Sequence, residues 1–157
     1  MSMAAVWRTD FVPLRVARAV REEWPEEFPS FVRISAADWV SGGWDIDQSI
    51  LLTRQLKEIG VDLIDCSSGF AVPGEKVPFG PGFQVPFAAK VRAEAGIASG
   101  AVGFILDPAQ AEQIVATGQA DAVFLARQML RDPYWPLHAA QALHVDMPWP
   151  DQYLRAK

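Results

Sequence analysis

The chain has 157 residues, half of them hydrophobic and 21% charged, with a net charge of −5. That length allows one domain with a real core, and an acidic balance without a basic run argues against nucleic acid or an anionic membrane as partner. Cys66 is the single cysteine, so no intrachain disulfide can form, which suits a reducing, cytoplasmic setting.

No apolar run reaches the ~18 residues that a membrane helix needs. The opening "MSMAAVWRTD" has neither the basic stretch nor the apolar core of a signal peptide.

The elements alternate. "FVPLRVARAVREEW" places Phe11, Leu14, Val16, Val20 and Trp24 at helical spacing, and Pro25 stops that helix. "SFVRISA" (30–36) is β-rich, and "DWVSGGW" then breaks the chain. "DQSILLTRQLKEIG" reads as a helix with Asp47 as N-cap and Gly60 just past its end. "VDLIDCS" (61–67) is the second strand, followed by the long Gly- and Pro-rich loop "SGFAVPGEKVPFGPGFQ". "VPFAAKVRAEAG" is a helix with Pro86 in its first turn, and "ASGAVGFI" is the third strand. "DPAQAEQIVATG" is a helix with Asp107 as N-cap and Pro108 at N1. The fourth strand "DAVFLA", the helix "LHAAQALH" and the tail "VDMPWPDQYLRAK" complete the chain.

Four βα units without hairpin turns imply a parallel α/β sheet, and near-continuous apolar strands imply burial on both faces. Both a doubly wound sheet and a (β/α) barrel, or part of one, fit this pattern. No G-x-G-x-x-G follows the first strand, so a dinucleotide-binding version is not supported.

In both architectures ligands bind at the carboxyl ends of strands. The first strand carries Arg33, and the second ends in Cys66, Ser67, Ser68 and Gly69. The third ends around Ala101, Val102 and Gly103, and the fourth in Ala126 and Arg127. Small residues at the last two ends let a ligand approach the backbone. Amide N–H groups and a helix start would bind phosphate there, and Arg127 adds a bidentate charge. Otherwise Arg127 pairs with Asp107 or Asp132. Arg33, in mid-strand, either points into an occupied site or pairs with Asp62 or Asp65. Cys66 reads as a buried filler, and His138 and His144 as solvated or helix-terminal groups. No metal-ligand spacing is present.

"FVRISAADW", "LKEIGVDLIDCSSG", "GPGFQVPFAAKVR", "AVGFI", "AEQIVATGQADAVFLARQMLRDPYWPL" and "QYLRA", taken in order, closely resemble one family from about Phe11 to the C-terminus. It is the old yellow enzyme family of NAD(P)H:flavin oxidoreductases, in its bacterial ene-reductase subclass. The resemblance implies non-covalent FMN in a (β/α)8 barrel, with hydride passing from NAD(P)H to the flavin and on to an activated alkene. It places Arg33 against the N1/O2 edge of the flavin, where its charge would stabilise the anionic reduced ring. It makes Ala101, Val102, Gly103, Ala126 and Arg127 the phosphate-binding strand ends, with alanine where relatives often have glycine at 126. It matches Arg155 to an arginine that contacts substrate or reaches a neighbouring subunit's site.

The matching segments correspond to strands five to eight alone. The family's first half carries the histidine pair that binds substrate, the proton-donor tyrosine and a redox-tuning residue. Residues 1–10 do not match and read as a new start on a truncated or split gene, leaving 11–157 as the half-barrel domain with tail 145–157. The expectation is a half-barrel with two raw edges and an inner face of large aliphatic groups. It would be completed as a homo-oligomer or by a separate N-terminal half-barrel chain, would act on a small-molecule substrate only when complete, and would hold no catalytic residue of its own. A vestigial fragment without cofactor and a sugar-phosphate enzyme half are the competing readings.

Overall fold

The computed structural model describes residues 12–71 and 73–157. The expected non-matching segment 1–10 and Phe11 lie outside them. The order is α1 (Val12–Glu23), β1 (Phe31–Ser35), α2 (Ile46–Ile59), β2 (Leu63–Ser67), α3 (Val85–Ala95), β3 (Ala98–Ala101), α4 (Pro108–Ala116), β4 (Ala122–Val123), α5 (Arg127–Arg131), α6 (Trp135–Ala142) and a closing 3-10 helix, Asp151–Ala156.

The four strands form one parallel sheet in the order β1-β2-β3-β4. A doubly wound sheet reverses its strand order at a switch point. Here each strand lies beside its sequence neighbour, and α1 packs on α2, α2 on α3 and α4 on α6. That is a sector of a (β/α) barrel, with its helices side by side on one face.

Local chemistry explains the elements. Asp45 caps α2: its carboxylate accepts from the Gln48 N–H at 2.9 Å while the Gln48 side chain accepts from the Asp45 N–H at 3.0 Å. The expected cap, Asp47, instead lies inside the first turn and pairs with Lys90 at 2.6 Å. Gly60 ends α2 with φ +95°, a conformation that glycine reaches without strain. Asp107 caps α4 by accepting from the Ala109 N–H at 2.8 Å, with Pro108 next.

Alternation along the strands sets two faces. Val32, Ile34, Ile64, Cys66, Ala101 and Val123 point to the helices and belong to, or pack on, one core with Leu14, Leu56, Val91 and Ile114. The opposite, inner face carries Phe31, Arg33 and Ser35 on β1, Leu63, Asp65 and Ser67 on β2, Ala98 and Gly100 on β3, and Ala122 on β4. The expectation of large aliphatic groups there is corrected: the middle row is Arg33, Asp65, Gly100 and Ala122 in register. Two charges and two small residues replace the branched layer of a filled barrel.

Two more expectations change. In α1 the buried residues are Leu14 and Ala17, whereas Val16, Val20 and Trp24 are exposed. The helical spacing is real, but among the described residues the helix buries its other side, through Leu14 and Ala17, and Trp24 packs only on the following turn, its ring 5.6 Å from that of Phe28. The fourth strand pairs only over Ala122–Val123; the Phe124 N–H to Ala101 carbonyl bond at 2.8 Å is its last rung, and α5 starts soon after, at Arg127. Among the described residues no helix is long and apolar enough to cross a membrane.

Candidate functional site

The carboxyl ends of β2, β3 and β4 open onto one cleft of about 180 Å³. Val102, Gly103, Ala126 and Arg127, expected together from their strand ends, all line it. Ala101 sits one step below, fully buried on the helix side, and contributes its carbonyl to the Phe124 N–H rather than a surface to the cleft.

Arg127 has none of the carboxylate partners considered for it. Asp107 is engaged in capping α4, and Asp132 pairs with His138 Nδ1 at 2.7 Å. The Arg127 guanidinium lies over the Phe104 ring, 5.2 Å from its centroid, and has no ion pair among the described residues. Arg131, one helical turn on, lines the same cleft and donates to Gln128 Oε1 at 3.0 Å. Two guanidinium groups thus face a concave site whose remaining lining is largely apolar.

A hydrogen-bonded relay fixes the floor of the cleft. Trp39 Nε1 donates to Ser68 Oγ at 3.0 Å, and Ser68 Oγ donates to Gln84 Oε1 at 2.8 Å. Gln84 Nε2 then donates to the Val102 carbonyl at 3.1 Å. Ser68 and Gln84 are buried, so each bond satisfies a group that water does not reach. The relay ties the loop after β1 to the ends of β2 and β3.

Gly103 stands against this floor at φ +116°. A Cβ there would come within 2.8 Å of Gln84 Nε2 and 2.9 Å of Phe83 Cε1. Only glycine keeps the backbone this close to Gln84 and Phe83, in the cleft that Arg127 also lines. An anionic group of phosphate size fits these residues in charge and in backbone access.

Aromatic rings rim the cleft. Phe79 touches Phe70, Phe83 and Phe104 at ring separations of 6.2, 5.4 and 6.1 Å. Trp39, Phe70 and Phe104 share positive φ values of 58°, 65° and 50°, and each follows a strand end within a few residues. Side-chain-bearing residues in this region are strained and concentrate at ligand sites.

Arg33 lies elsewhere, on the inner face of the edge strand β1. Its Nε donates to Asp65 Oδ2 at 2.5 Å. Of its two candidate partners Asp65 is therefore the one found; Asp62 instead accepts from the Ser30 N–H at 2.7 Å. Burial pushes the Asp65 carboxyl above its ordinary value, against the pull of Arg33. Arg155 is exposed on the 3-10 helix, which is anchored by the contact of Tyr153 with Tyr134 at 5.4 Å between rings. It does not reach the cleft. Gln84 and Arg131 carried no marker in the sequence reading, although the i, i+4 spacing of Arg127 and Arg131 places both on one helix face.

Residues 7–146 match the NADH:flavin oxidoreductase / NADH oxidase family. The chain belongs to that family. It is 50% identical over 128 residues to an NADPH dehydrogenase of Halalkalibacterium halodurans, covering 82% of this chain and 38% of that protein. It is 49% identical over 140 residues to an NADPH dehydrogenase of Geobacillus thermodenitrificans, covering 89% and 40%. It is also 46% identical over 136 residues to one of Bacillus subtilis, covering 87% and 39%. The chain thus spans about two fifths of the length of these relatives.

Proposed function

We propose that this chain is the FMN-binding part of an NAD(P)H-dependent flavin oxidoreductase that reduces activated alkenes. One observation carries the reading: Val102, Gly103, Ala126 and the guanidinium of Arg127, without an ion pair among the described residues, converge on one cleft of a size for a phosphate. FMN held there would supply the hydride-transfer chemistry between NAD(P)H and an electron-poor carbon. The chain's own residues bind and orient. Arg127 and Arg131 neutralise the phosphate, Gly103 admits it to the backbone, and the relay through Ser68 and Gln84 holds that wall in place. Arg33 presents positive charge to the ring edge from the inner face.

The alkene needs a group to hold its carbonyl and an acid to protonate it. Among the described residues neither histidine nor tyrosine lines the cleft. His138 pairs with Asp132 on α6, and His144 follows that helix. Those functions come from strands of the family's first half; a second copy of this chain could close the barrel but would bring only the same histidines and tyrosines. The open edges of β1 and β4 are where such strands pair. Arg155, exposed on the anchored tail, is the side chain this protein offers to a neighbouring copy's site.

The test is the visible spectrum after FMN addition and gel filtration, with elution volume recorded alongside. A retained, shifted flavin band near one per chain supports the reading. A colourless oligomer supports a fragment that has kept the fold and lost the cofactor. Efficient turnover of a simple enone by the isolated chain overturns the catalytic incompleteness.

A further inference from the structure

The Arg33–Asp65 pair crosses the inner face between directly opposed residues of β1 and β2. Asp65 is 5% exposed, whereas the Arg33 side chain is 57% exposed. One partner is thus sunk in the sheet while the other reaches out of it. On the far side of Asp65, Gly100 stands in register, and the Phe124 ring lies over that glycine.

Stability does not account for the pair. A carboxylate buried this far loses its hydration, and its Oδ1 has no hydrogen-bond partner among the described residues. An apolar residue would fill the position at lower cost. What the carboxylate supplies is direction. It engages Nε, the nitrogen nearest the stem, and neither terminal nitrogen of Arg33 has a partner among the described residues. An arginine gripped at Nε cannot swing its fork freely, so Nη1 and Nη2 are held as a planar pair of donors.

We propose that Asp65 is a positioning residue that holds Arg33 by Nε and so presents its two terminal nitrogens to the electron-rich edge of a planar heterocycle on the inner face. The ligand class is a pyrimidine-like ring edge with adjacent carbonyl and nitrogen acceptors. This rests on the reading of Arg33 as the group facing the flavin ring. Asp65 touches no ligand itself; it acts through Arg33.

The experiment compares wild type, Asp65→Asn, Arg33→Ala and the double variant. Two quantities are read: FMN affinity by fluorescence quenching, and the side-chain Nε–H resonance of Arg33 by NMR. The melting temperature controls for folding. Wild type is expected to show a protected Arg33 Nε–H signal that Asp65→Asn loses. Asp65→Asn is expected to weaken FMN binding roughly five- to tenfold, and to weaken it no further once Arg33 is alanine. Additive losses, or unchanged affinity with only a lowered melting temperature, would overturn the proposal. So would a signal absent from wild type or retained in Asp65→Asn, whatever the flavin does. Failure of wild type to bind FMN overturns the flavin reading itself. A protected signal lost in Asp65→Asn would then show Asp65 holding Arg33, with no ligand for it to serve.

Discussion

The Phe124 ring occupies the space where a Cβ on Gly100 would stand, 2.1 Å from its Cε2 and 2.6 Å from its Cδ2. A glycine on β3 and an aromatic ring just beyond β4 are thus one unit, the first missing a side chain so that an edge of the second can take its place. Gly100→Ala forces the ring out and is expected to cost about 1–3 kcal/mol, read as a lowered urea midpoint. Gly100→Ala combined with Phe124→Leu is expected to be less destabilised than the sum of the two single changes. A wild-type midpoint for Gly100→Ala would contradict this packing.

Gly103 carries a second, separable constraint. With φ at +116° and Gln84 Nε2 2.8 Å from the would-be Cβ, alanine strains the backbone and disturbs the relay. Gly103→Ala is expected to cost roughly 1–3 kcal/mol of stability and to abolish measurable FMN binding. Calorimetry and flavin fluorescence read the two effects independently.

These two glycines mark what the sequence could and could not disclose. The alternation of elements was legible because caps and breakers punctuate it: Gly60, Pro86, Asp107 and Pro108 all act as their residue types dictate. The cap of α2 was misplaced because two aspartates flank Ile46; Asp45 followed three residues later by Gln48 was the available signal. The grouping of Val102, Gly103, Ala126 and Arg127 was legible because a parallel sheet puts consecutive strand ends side by side. The roles of Gln84 and Phe124 were not, since each depends on a neighbour distant in sequence that only the register brings close. Exposure of Val16 and Val20 was equally invisible, because periodicity shows that a helix has an apolar side but not whether anything covers it.

Cys66 is fully buried, and burial first, with the charge of Asp65 second, pushes its thiol up to about 12. The thiol is therefore neutral and inert in the native state. Its contribution to stability is complete below the unfolded value of 9.0 and is lost as pH rises toward about 12. A thiol-specific reagent at pH 8 is expected to react at the rate of global unfolding, and quickly once denaturant is added. Fast reaction of the native protein would refute this placement.

Two aspartates respond to pH with opposite sign. Burial pushes Asp121 up, but the Ser99 N–H at 2.9 Å and the Arg92 guanidinium together hold it below its ordinary 3.8. Its contribution is present above the unfolded value and is lost as pH falls through the folded one. Asp65 is raised by burial, so its contribution is present below the unfolded value and is lost as pH rises through the folded one. Relative to wild type, Asp121→Asn is expected to lose most stability near neutral pH and little in acid. Asp65→Asn is expected to gain on wild type as pH rises from acid to neutral. Parallel pH profiles for the two variants would contradict the assignment.

The central claim, that the cleft grips a flavin through its phosphate, is tested most directly by comparing FMN with riboflavin. The two share a ring system and differ only in the phosphate. Equilibrium fluorescence titration is expected to give FMN at least about tenfold the affinity of riboflavin, with the difference collapsing in Arg127→Ala. Equal affinities in the wild-type protein, or no binding of FMN, would contradict the account.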